Sequence, residues 1–419
     1  MNTIQTDVCV LGAGPGGVAT ALQLHELGIP CVMVDKAVFP RDKICGDAIS
    51  GKVVYALNRI DKSIVPEFVE RNDIKVDCWG VSFIFSKGRE IKVPLKPDLS
   101  EKLIKEQTPS GFVAKRMDFD NFMIDVARKR DLIDIIENCN ISKIVKTENG
   151  FELTSKDGKT HIKTKLLIGA NGAHSKFMRE FGNIHKDPEH YAGSVRGYYK
   201  NVTGFNQFNF IELHYLKEFL PGYLWVFPLP NGQANVGVGM RSDLISKNKV
   251  NLKDDMIRLL KEHPRFKERF KDAELVGKLQ GFGLPLGSKK RKLSGDNFML
   301  IGDAASLIDP LTGEGIGNAV ISGRFAALHA QKCLEADNFS SEFMDAYDKM
   351  VYDKLWDELK VSYRLQKGLL KPWMVAFTTR VLANNKQFGE VLSAMFSDVD
   401  LRKKLQSPKF YFNLIFNRK

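Results

Sequence analysis

The sequence predicts an α/β fold: a parallel nucleotide-binding layer, interrupted by a mostly antiparallel sheet and followed by a helical C-terminal region. Three observations predict it. Residues 7–35, DVCVLGAGPGGVATALQLHELGIPCVMVD, read as apolar strand, glycine turn, apolar-periodic helix and second apolar strand. Residues 297–333 return to strand, glycine-rich loop and helix. Between them, residues 190–240 carry short apolar segments separated by Gly, Pro and Asn, the punctuation of a sheet.

Residues 1–60 alternate strand and helix, and the first turn is Gly12-Ala13-Gly14-Pro15-Gly16-Gly17. Gly12 permits the tight turn, Gly14 lets the backbone approach a pyrophosphate, and Gly17 lets helix and strand pack closely. The amides at the helix start then face the anion. Asp35 ends the second strand, where a carboxylate can accept hydrogen bonds from adenosine ribose hydroxyls. Residues 74–95 alternate like strands around a Lys-Gly turn, and Met117 to Arg130 form a helical pattern begun by Asp118. Residues 131–168 give short strands with turns at Glu148-Asn149-Gly150 and Lys156-Asp157-Gly158. Residues 251–270 read as a charged helix, and the chain beyond 333 is helical.

Phe298 to Ile301 form an apolar strand that ends in Gly302-Asp303 and runs into Asp309-Pro310-Leu311-Thr312-Gly313-Glu314-Gly315-Ile316-Gly317. Asp303 can bind ribityl hydroxyls, and the helix start at Gly315–Gly317 can stabilise negative charge on a reduced isoalloxazine. An ordinary capped loop reads the same way, so this segment gains meaning only beside the first turn. FAD rather than NAD as the resident cofactor follows from this Gly-Asp segment, not from the first turn. Gly237-Val238-Gly239 and Gly281-Phe282-Gly283 are not followed by a helix pattern. No second nicotinamide domain is expected, so a reductant, NAD(P)H or a ferredoxin, binds transiently.

The formal charge is +12, and residues 361–419 hold eleven Lys/Arg against Glu390, Asp398 and Asp400, a net of +8. The same segment carries nine aromatics, among them Trp373, Phe377, Phe410, Tyr411, Phe412 and Phe416. Two readings stand: a solvated basic face on a helical domain, or peripheral docking on anionic lipid. No nucleic-acid motif accompanies the charge, so nucleic acid is not an expected partner. No run of 18 apolar residues exists to span a membrane, and the first strand starts at once with no leader. Six scattered cysteines without a CxxC pair fit reduced thiols in a cytoplasm rather than a disulfide framework or zinc site. His174 and His214 lack metal-type spacing. The oligomeric state is not legible.

Tyr223, Trp225 and Phe227 alternate along a predicted strand and so share a face. They form either sheet core or one wall of an apolar substrate tunnel. Cys45 sits in a glycine-flanked loop after the second strand, either packing against the cofactor or delivering a proton as a positioned acid.

The first turn, the Gly-Asp segment and Ile168-Gly169-Ala170-Asn171-Gly172-Ala173-His174-Ser175 with Arg179 resemble the single-component FAD enzymes of the p-hydroxybenzoate hydroxylase superfamily. Phe39-Pro40-Arg41-Asp42-Lys43-Ile44-Cys45-Gly46-Asp47-Ala48 is similar to a segment of the geranylgeranyl reductase family within it. So is Gly222-Tyr223-Leu224-Trp225-Val226-Phe227-Pro228, followed by Asn235-Val236-Gly237-Val238-Gly239. The resemblance covers roughly residues 5–330 and implies an α+β two-domain flavoprotein with a Rossmann-like domain. One departure is visible: Asn171-Gly172 stands where the superfamily has Asp-Gly, an Asp associated with FAD and nicotinamide contacts.

The resemblance implies FAD held by Gly12, Gly14, Gly17, Asp35, Arg116 and Asp303, with Arg116 placed before the Phe119-Asp120 pair. Pro15, Gly16, Lys36, Arg41, Cys45, Gly46, Gly302, Gly313, Gly315 and Ile316 complete the candidate cofactor set. It also places Cys45 beside flavin and substrate. The expected division assigns 1–73, 111–180 and 285–335 to the FAD-binding domain. It gives 74–110 and 181–284 to the substrate domain, and 336–419 to the helical region.

Three functions remain open on the sequence. An ene-reductase would saturate isoprenoid double bonds of a hydrophobic or lipid substrate. An oxygen-using hydroxylase or halogenase of the same superfamily is the alternative, since Trp225-Val226-Phe227-Pro228 approximates the halogenase Trp-x-Trp-x-Ile-Pro without its first Trp. The third is a non-catalytic flavin or lipid binder. The basic aromatic C-terminus and the aromatic row favour the first.

Overall fold

The computed structural model describes residues 2–85, 89–95 and 108–371. Near-continuous apolar runs at Val8–Leu11, Cys31–Val34 and Leu166–Ile168 are buried on both faces, as a parallel sheet covered by helices requires. Asn2–Leu11 pairs in parallel with Thr160–Gly169 on one side and Cys31–Val34 on the other, and Phe298–Leu300 pairs in parallel with Thr160–Gly169. The register sets Leu11 opposite Gly169 and Val34, and Gly169 opposite Leu300. The carboxyl ends of these strands therefore finish at one level. The loops bearing Gly12, Asp35, Asn171 and Asp303 leave from that edge, where open α/β sheets bind ligands. Ile133–Ile136, Ser294–Gly295 and the hairpin Ile141–Thr147/Gly150–Ser155 complete this eight-stranded sheet. The helices Pro15–Glu26 and Ile316–Ala336 pack against each other beside it.

A seven-stranded sheet stands across the cavity. Its order is Glu274–Pro285, Tyr191–Lys200, Gln233–Arg241, Tyr223–Leu229, Ile211–Tyr215, Gly80–Phe85, Glu90–Pro94. Every pair is antiparallel except Ile211–Tyr215 with Gly80–Phe85. A small third sheet joins Ala48–Ile49, Gly111–Ala114 and Lys75–Cys78.

Several elements differ from the sequence reading. Residues 74–95 do not form one unit: Lys75–Cys78 pairs with Gly111–Ala114, and only the later strands join the large sheet. The helix Arg116–Arg128 starts before Asp118, with Lys115 at its N-cap; Asp118 lies in the first turn, where a carboxylate faces the free amides. The charged helix ends at Glu262 because Pro264 turns His263 away from helical geometry. Glu274–Pro285, which contains Gly281-Phe282-Gly283, is a strand the sequence did not signal. Gly237 and Gly239 are followed by a helix, Ser242–Asn248, but both lie inside a paired strand and form no turn.

The last described helix, Ser341–Gly368, is tied along its length. Ser340 Oγ caps Phe343 N–H, Tyr347 Oη donates to the Leu300 carbonyl at 2.7 Å, and Asp348 accepts from Leu293 N–H and Ser294 Oγ. Farther along, Glu358 meets Lys52 at 2.5 Å and Gln366 donates to the Pro310 carbonyl. The basic aromatic segment from residue 372 onward, with Trp373, Phe377, Arg402, Phe410, Tyr411, Phe412 and Phe416, lies outside the described residues, as does the Lys87-Gly88 turn. No helix among the described residues is long and apolar enough to cross a membrane. All six cysteines are free thiols.

Candidate active site

A cavity of about 870 Å³ lies between the carboxyl edge of the parallel sheet and the face of the seven-stranded one. That is near the top of the size range of small-molecule pockets. Gly12, Gly14, Pro15, Gly16, Asp35, Lys36, Arg41, Cys45, Gly46, Arg116, Gly302, Asp303, Gly313, Gly315 and Ile316 all line it, as do Tyr223, Trp225 and Phe227. Gly17 does not line it; it packs behind the wall, where a Cβ would lie 1.9 Å from the Gly12 carbonyl oxygen.

At one end, Gly14 is the N-cap of Pro15–Glu26, and no side chain occupies the first amides. They are free to meet an anion. Asp35 shows a role beyond the ribose contact read from the sequence. Its Oδ2 accepts from Ala13 N–H and its Oδ1 from Ala37 N–H, both at 2.8 Å, so the carboxylate closes the turn. Each oxygen keeps a lone pair that these amides do not use.

In the middle, one carboxylate holds two arginines. Asp120 accepts from Arg116 Nε at 2.7 Å and Nη2 at 2.8 Å, and from Arg41 Nη1 at 2.6 Å. The Arg116 pair is an i,i+4 contact on the first turn of its helix. The sequence signalled Asp120 only as the partner of Phe119.

At the other end, Asp303 sits in a short turn after Phe298–Leu300, with its carboxylate 3.9 Å from Lys43 Nζ. Burial pushes the Lys43 ammonium down from its usual value, and Asp303 opposes that shift. Lys43 Nζ also stands 3.6 Å over the Phe282 ring. The glycine loop is fixed by Asp309, whose Oδ1 accepts from Leu311 N–H, Thr312 N–H and Thr312 Oγ1. Glu314 Oε1 accepts from Gly317 N–H at 2.6 Å and from Ser50 Oγ. One amide of this helix start, which the sequence reading left for a ligand, is thus occupied by the chain itself. Burial raises the Glu314 carboxyl above its ordinary range, against the pull of Lys52.

The aromatic row forms the facing wall. Ring centroids are 6.2 Å apart for Tyr223–Trp225 and 6.3 Å for Trp225–Phe227. Tyr223 Oη donates to the Thr312 carbonyl of the glycine loop. Trp225 lies flat over Gly237, where a Cβ would come within 2.2 Å of the indole. Asn235, absent from the candidate residues, connects the row to the Cys45 loop. Trp225 Nε1 donates to Asn235 Oδ1 at 2.8 Å; Asn235 Nδ2 donates to the Cys45 carbonyl at 2.7 Å and to Asp47 Oδ2 at 2.8 Å. The sequence marks it as a polar residue in the apolar strand Ala234-Asn235-Val236, at the start of the family-like stretch Asn235-Val236-Gly237-Val238-Gly239, without indicating either of its partners.

His174 lines the cavity edge-on to Phe282. Burial and the cations around it, Lys43 first, lower its pKa, so the ring is neutral near pH 7. Among the described residues no cluster of three or more His, Cys, Asp or Glu could hold a metal.

These features fit FAD. The start of Pro15–Glu26, free of any side-chain cap, and the glycine loop before Ile316–Ala336 open onto one cavity, which the paired Arg41 and Arg116 and the carboxylates of Asp35 and Asp303 also line. Asp303→Ala should weaken FAD binding. A pair of hydrogen bonds to the ribityl chain is worth about 1–3 kcal/mol, so affinity should fall roughly tenfold to a hundredfold. Fluorescence titration of the apoprotein with FAD measures it, and unchanged affinity would remove Asp303 from the cofactor site.

Comparison with known proteins agrees. A family described as FAD binding domain matches residues 5–196. The digeranylgeranylglycerophospholipid reductase of Thermoplasma volcanium is 29% identical over 361 residues, 83% of each chain. The menaquinone reductase of Mycolicibacterium smegmatis is 31% identical over 336 residues, 78% of this chain and 76% of that one. The crystal structure of a geranylgeranyl bacteriochlorophyll reductase-like protein from Thermoplasma acidophilum superposes with a TM-score of 0.80 at 21% identity, covering 96% of this chain and 99% of that one. With the glycine turn, the Gly-Asp segment and the aromatic row meeting at one cavity, the chain belongs to the geranylgeranyl reductase-like family of FAD-dependent oxidoreductases.

Proposed function

We propose that the protein is an ene-reductase that saturates C=C bonds of an isoprenoid lipid. The observation that carries this reading is the apolar wall of Tyr223, Trp225 and Phe227, continued by Val81, Ile211 and Leu213 of the adjoining strands. Such a wall suits a long hydrocarbon and offers it few polar contacts. The relatives named above are reductases of digeranylgeranylglycerophospholipid and menaquinone, both isoprenoid lipids.

Bound FAD supplies a hydride. In this proposal Gly14 and the Pro15–Glu26 helix start hold its phosphates, Asp35 and Asp303 hold its sugar hydroxyls, and Arg41 and Arg116 offset its charge. The aromatic row orients the alkene and excludes water. Cys45 is proposed to present its thiol to the reacting face. Electrons come from a transient donor, NAD(P)H or a ferredoxin. The domain division given by the sequence is kept, with Lys75–Cys78 moved to the small sheet beside the cofactor. Docking of the basic C-terminal segment on anionic membrane is part of the same proposal.

The test is anaerobic. Enzyme reduced by dithionite and freed of excess reductant is mixed with a geranylgeranyl lipid in anionic vesicles. Flavin absorbance should return without oxygen, and the lipid should gain two hydrogens per double bond by mass. The protein should also sediment with these vesicles and release in high salt, because screening weakens surface attraction. Inert alkene, together with oxygen-dependent hydroxylation or halogenation of an added aromatic, would replace the reductase reading with the oxygenase one.

A further inference from the structure

Two acids line the cavity in the loop after the second strand: the Cys45 thiol and, two residues on, the Asp47 carboxyl. Asp47 is fully buried, yet it lines the cavity. Its backbone is left-handed, with φ +69°, a conformation that costs a non-glycine residue energy and persists where the surroundings fix it. Its backbone carbonyl accepts from Ala114 N–H, its Oδ1 accepts from Arg116 N–H at 3.2 Å, and its Oδ2 accepts from Asn235 Nδ2 at 2.8 Å. The chain thus holds this carboxyl between Arg116, which lines the cavity, and the asparagine that bonds Trp225.

We infer that Asp47 is the acid of the reaction, the group whose proton the reduced alkene carbon receives. This rests on the ene-reductase reading. In the step, the Asp47 O–H bond breaks and the alkene π pair forms a C–H bond with that proton. The hydride supplied by reduced flavin completes the other carbon. The carboxylate left behind regains its proton from solvent, and the NAD(P)H or ferredoxin donor restores the electrons.

The surroundings set the carboxyl for this exchange. Burial pushes its pKa up to about 6, while the hydrogen bond from Asn235, the nearby Tyr198 hydroxyl, the charge of Arg196 and the Arg116 amide hold it from rising further. An acid titrating there holds its proton in mildly acidic solution, gives it up as pH rises through about 6, and can regain it after each turnover. Arg196 is not a free charge: its Nη2 binds both oxygens of Asp42 at 2.7 and 2.8 Å, and its guanidinium lies 4.2 Å over the Tyr198 ring. Lys115 stands 5.1 Å over the same ring. The Tyr198 hydroxyl is buried beside Asp47 without a well-formed hydrogen bond of its own, and burial followed by the Asp47 charge pushes its pKa far up. It therefore stays protonated and can only donate toward the carboxylate.

The experiment is single-turnover reoxidation of reduced holoenzyme by the vesicle-borne geranylgeranyl lipid, followed across pH. The wild-type rate should fall as pH rises through about 6, because the acid is lost. Asp47→Asn should retain FAD and its reduction by dithionite, yet reoxidise on the order of 10²-fold more slowly, with no pH limb. Cys45→Ser keeps the carboxyl and should keep the wild-type limb whatever its rate. Tyr198→Phe removes a donor that favours the carboxylate, so the limb should move to higher pH; this variant carries the test if Asp47→Asn fails to fold. A limb that vanishes in Cys45→Ser, or an Asp47→Asn enzyme with the wild-type rate and profile, overturns the assignment. Wild-type enzyme inert to the alkene at every pH would instead refute the ene-reductase reading itself.

Discussion

Asp120→Ala should lower the melting temperature by roughly 3–6 °C and release flavin at temperatures the wild type tolerates. Its side chain is fully buried and accepts three charge-assisted hydrogen bonds from two arginines. Deleting it leaves Arg116, with 7% of its side chain exposed, and Arg41, with 20%, unpaired in a low-dielectric wall. Removing one partner of such a buried pair costs about 3–5 kcal/mol. Each kcal/mol shifts the midpoint by about 1 °C in a chain of 419 residues, whose unfolding entropy scales with its length. Flavin fluorescence and tryptophan fluorescence recorded on one thermal ramp measure both losses. Asp120→Asn keeps the volume but not the charge and should fall between the two. A melting temperature unchanged in the alanine variant would mean that the arginines find other partners, and the cofactor site would not depend on this carboxylate.

Gly17→Ala should yield protein that purifies without FAD and does not take it up. The added Cβ would sit 1.9 Å from Gly12 O and 3.0 Å from its carbonyl carbon. Both are backbone atoms of the turn, so no side chain can swing aside. The helix must retreat from the strand, and the amides after Gly14 retreat with it. Overpacking of this kind costs about 1–3 kcal/mol even when side chains absorb it, and more against backbone. Gly28→Ala is the matched control: it has φ +72° but nothing within 4 Å of a new Cβ, so it carries backbone strain alone and should keep its flavin. FAD released by heat and counted per chain decides. A yellow, stoichiometric Gly17→Ala protein would show that the turn relaxes without losing the phosphate site.

How much was legible followed the range of the interactions. The unit from Val8 to Asp35 is local: strand, turn and helix are adjacent in the chain, so periodicity and glycine spacing describe it fully. Asp303 was visible for the same reason, at the junction of a strand and its own loop. The shared face of Tyr223, Trp225 and Phe227 followed from the two-residue period of a strand. What escaped was long-range. Asp120 binds Arg41 across 79 residues, and Asn235 binds Asp47 across 188. No local pattern records either partner. The small sheet was missed because Ala48–Ile49 is two residues long and the sheet's three strands come from separate stretches of the chain. The start at Arg116 was missed because Asp118, a good cap by composition, lies inside the first turn, and Lys115 caps with backbone alone.

The ties on Ser341–Gly368 make that helix part of the cofactor site's cooperative unit although none of its residues lines the cavity. Tyr347 holds the strand that delivers Asp303, Glu358 holds Lys52 beside Glu314, and Gln366 holds Pro310 in the glycine loop. Local opening of the helix must break the same bonds that shape the two loops, so both open with one free energy. A ligand that binds only the closed arrangement raises that free energy for the whole unit. Amide hydrogens along these 28 residues should therefore exchange more slowly once FAD is bound, reporting cofactor occupancy from the far side of the protein.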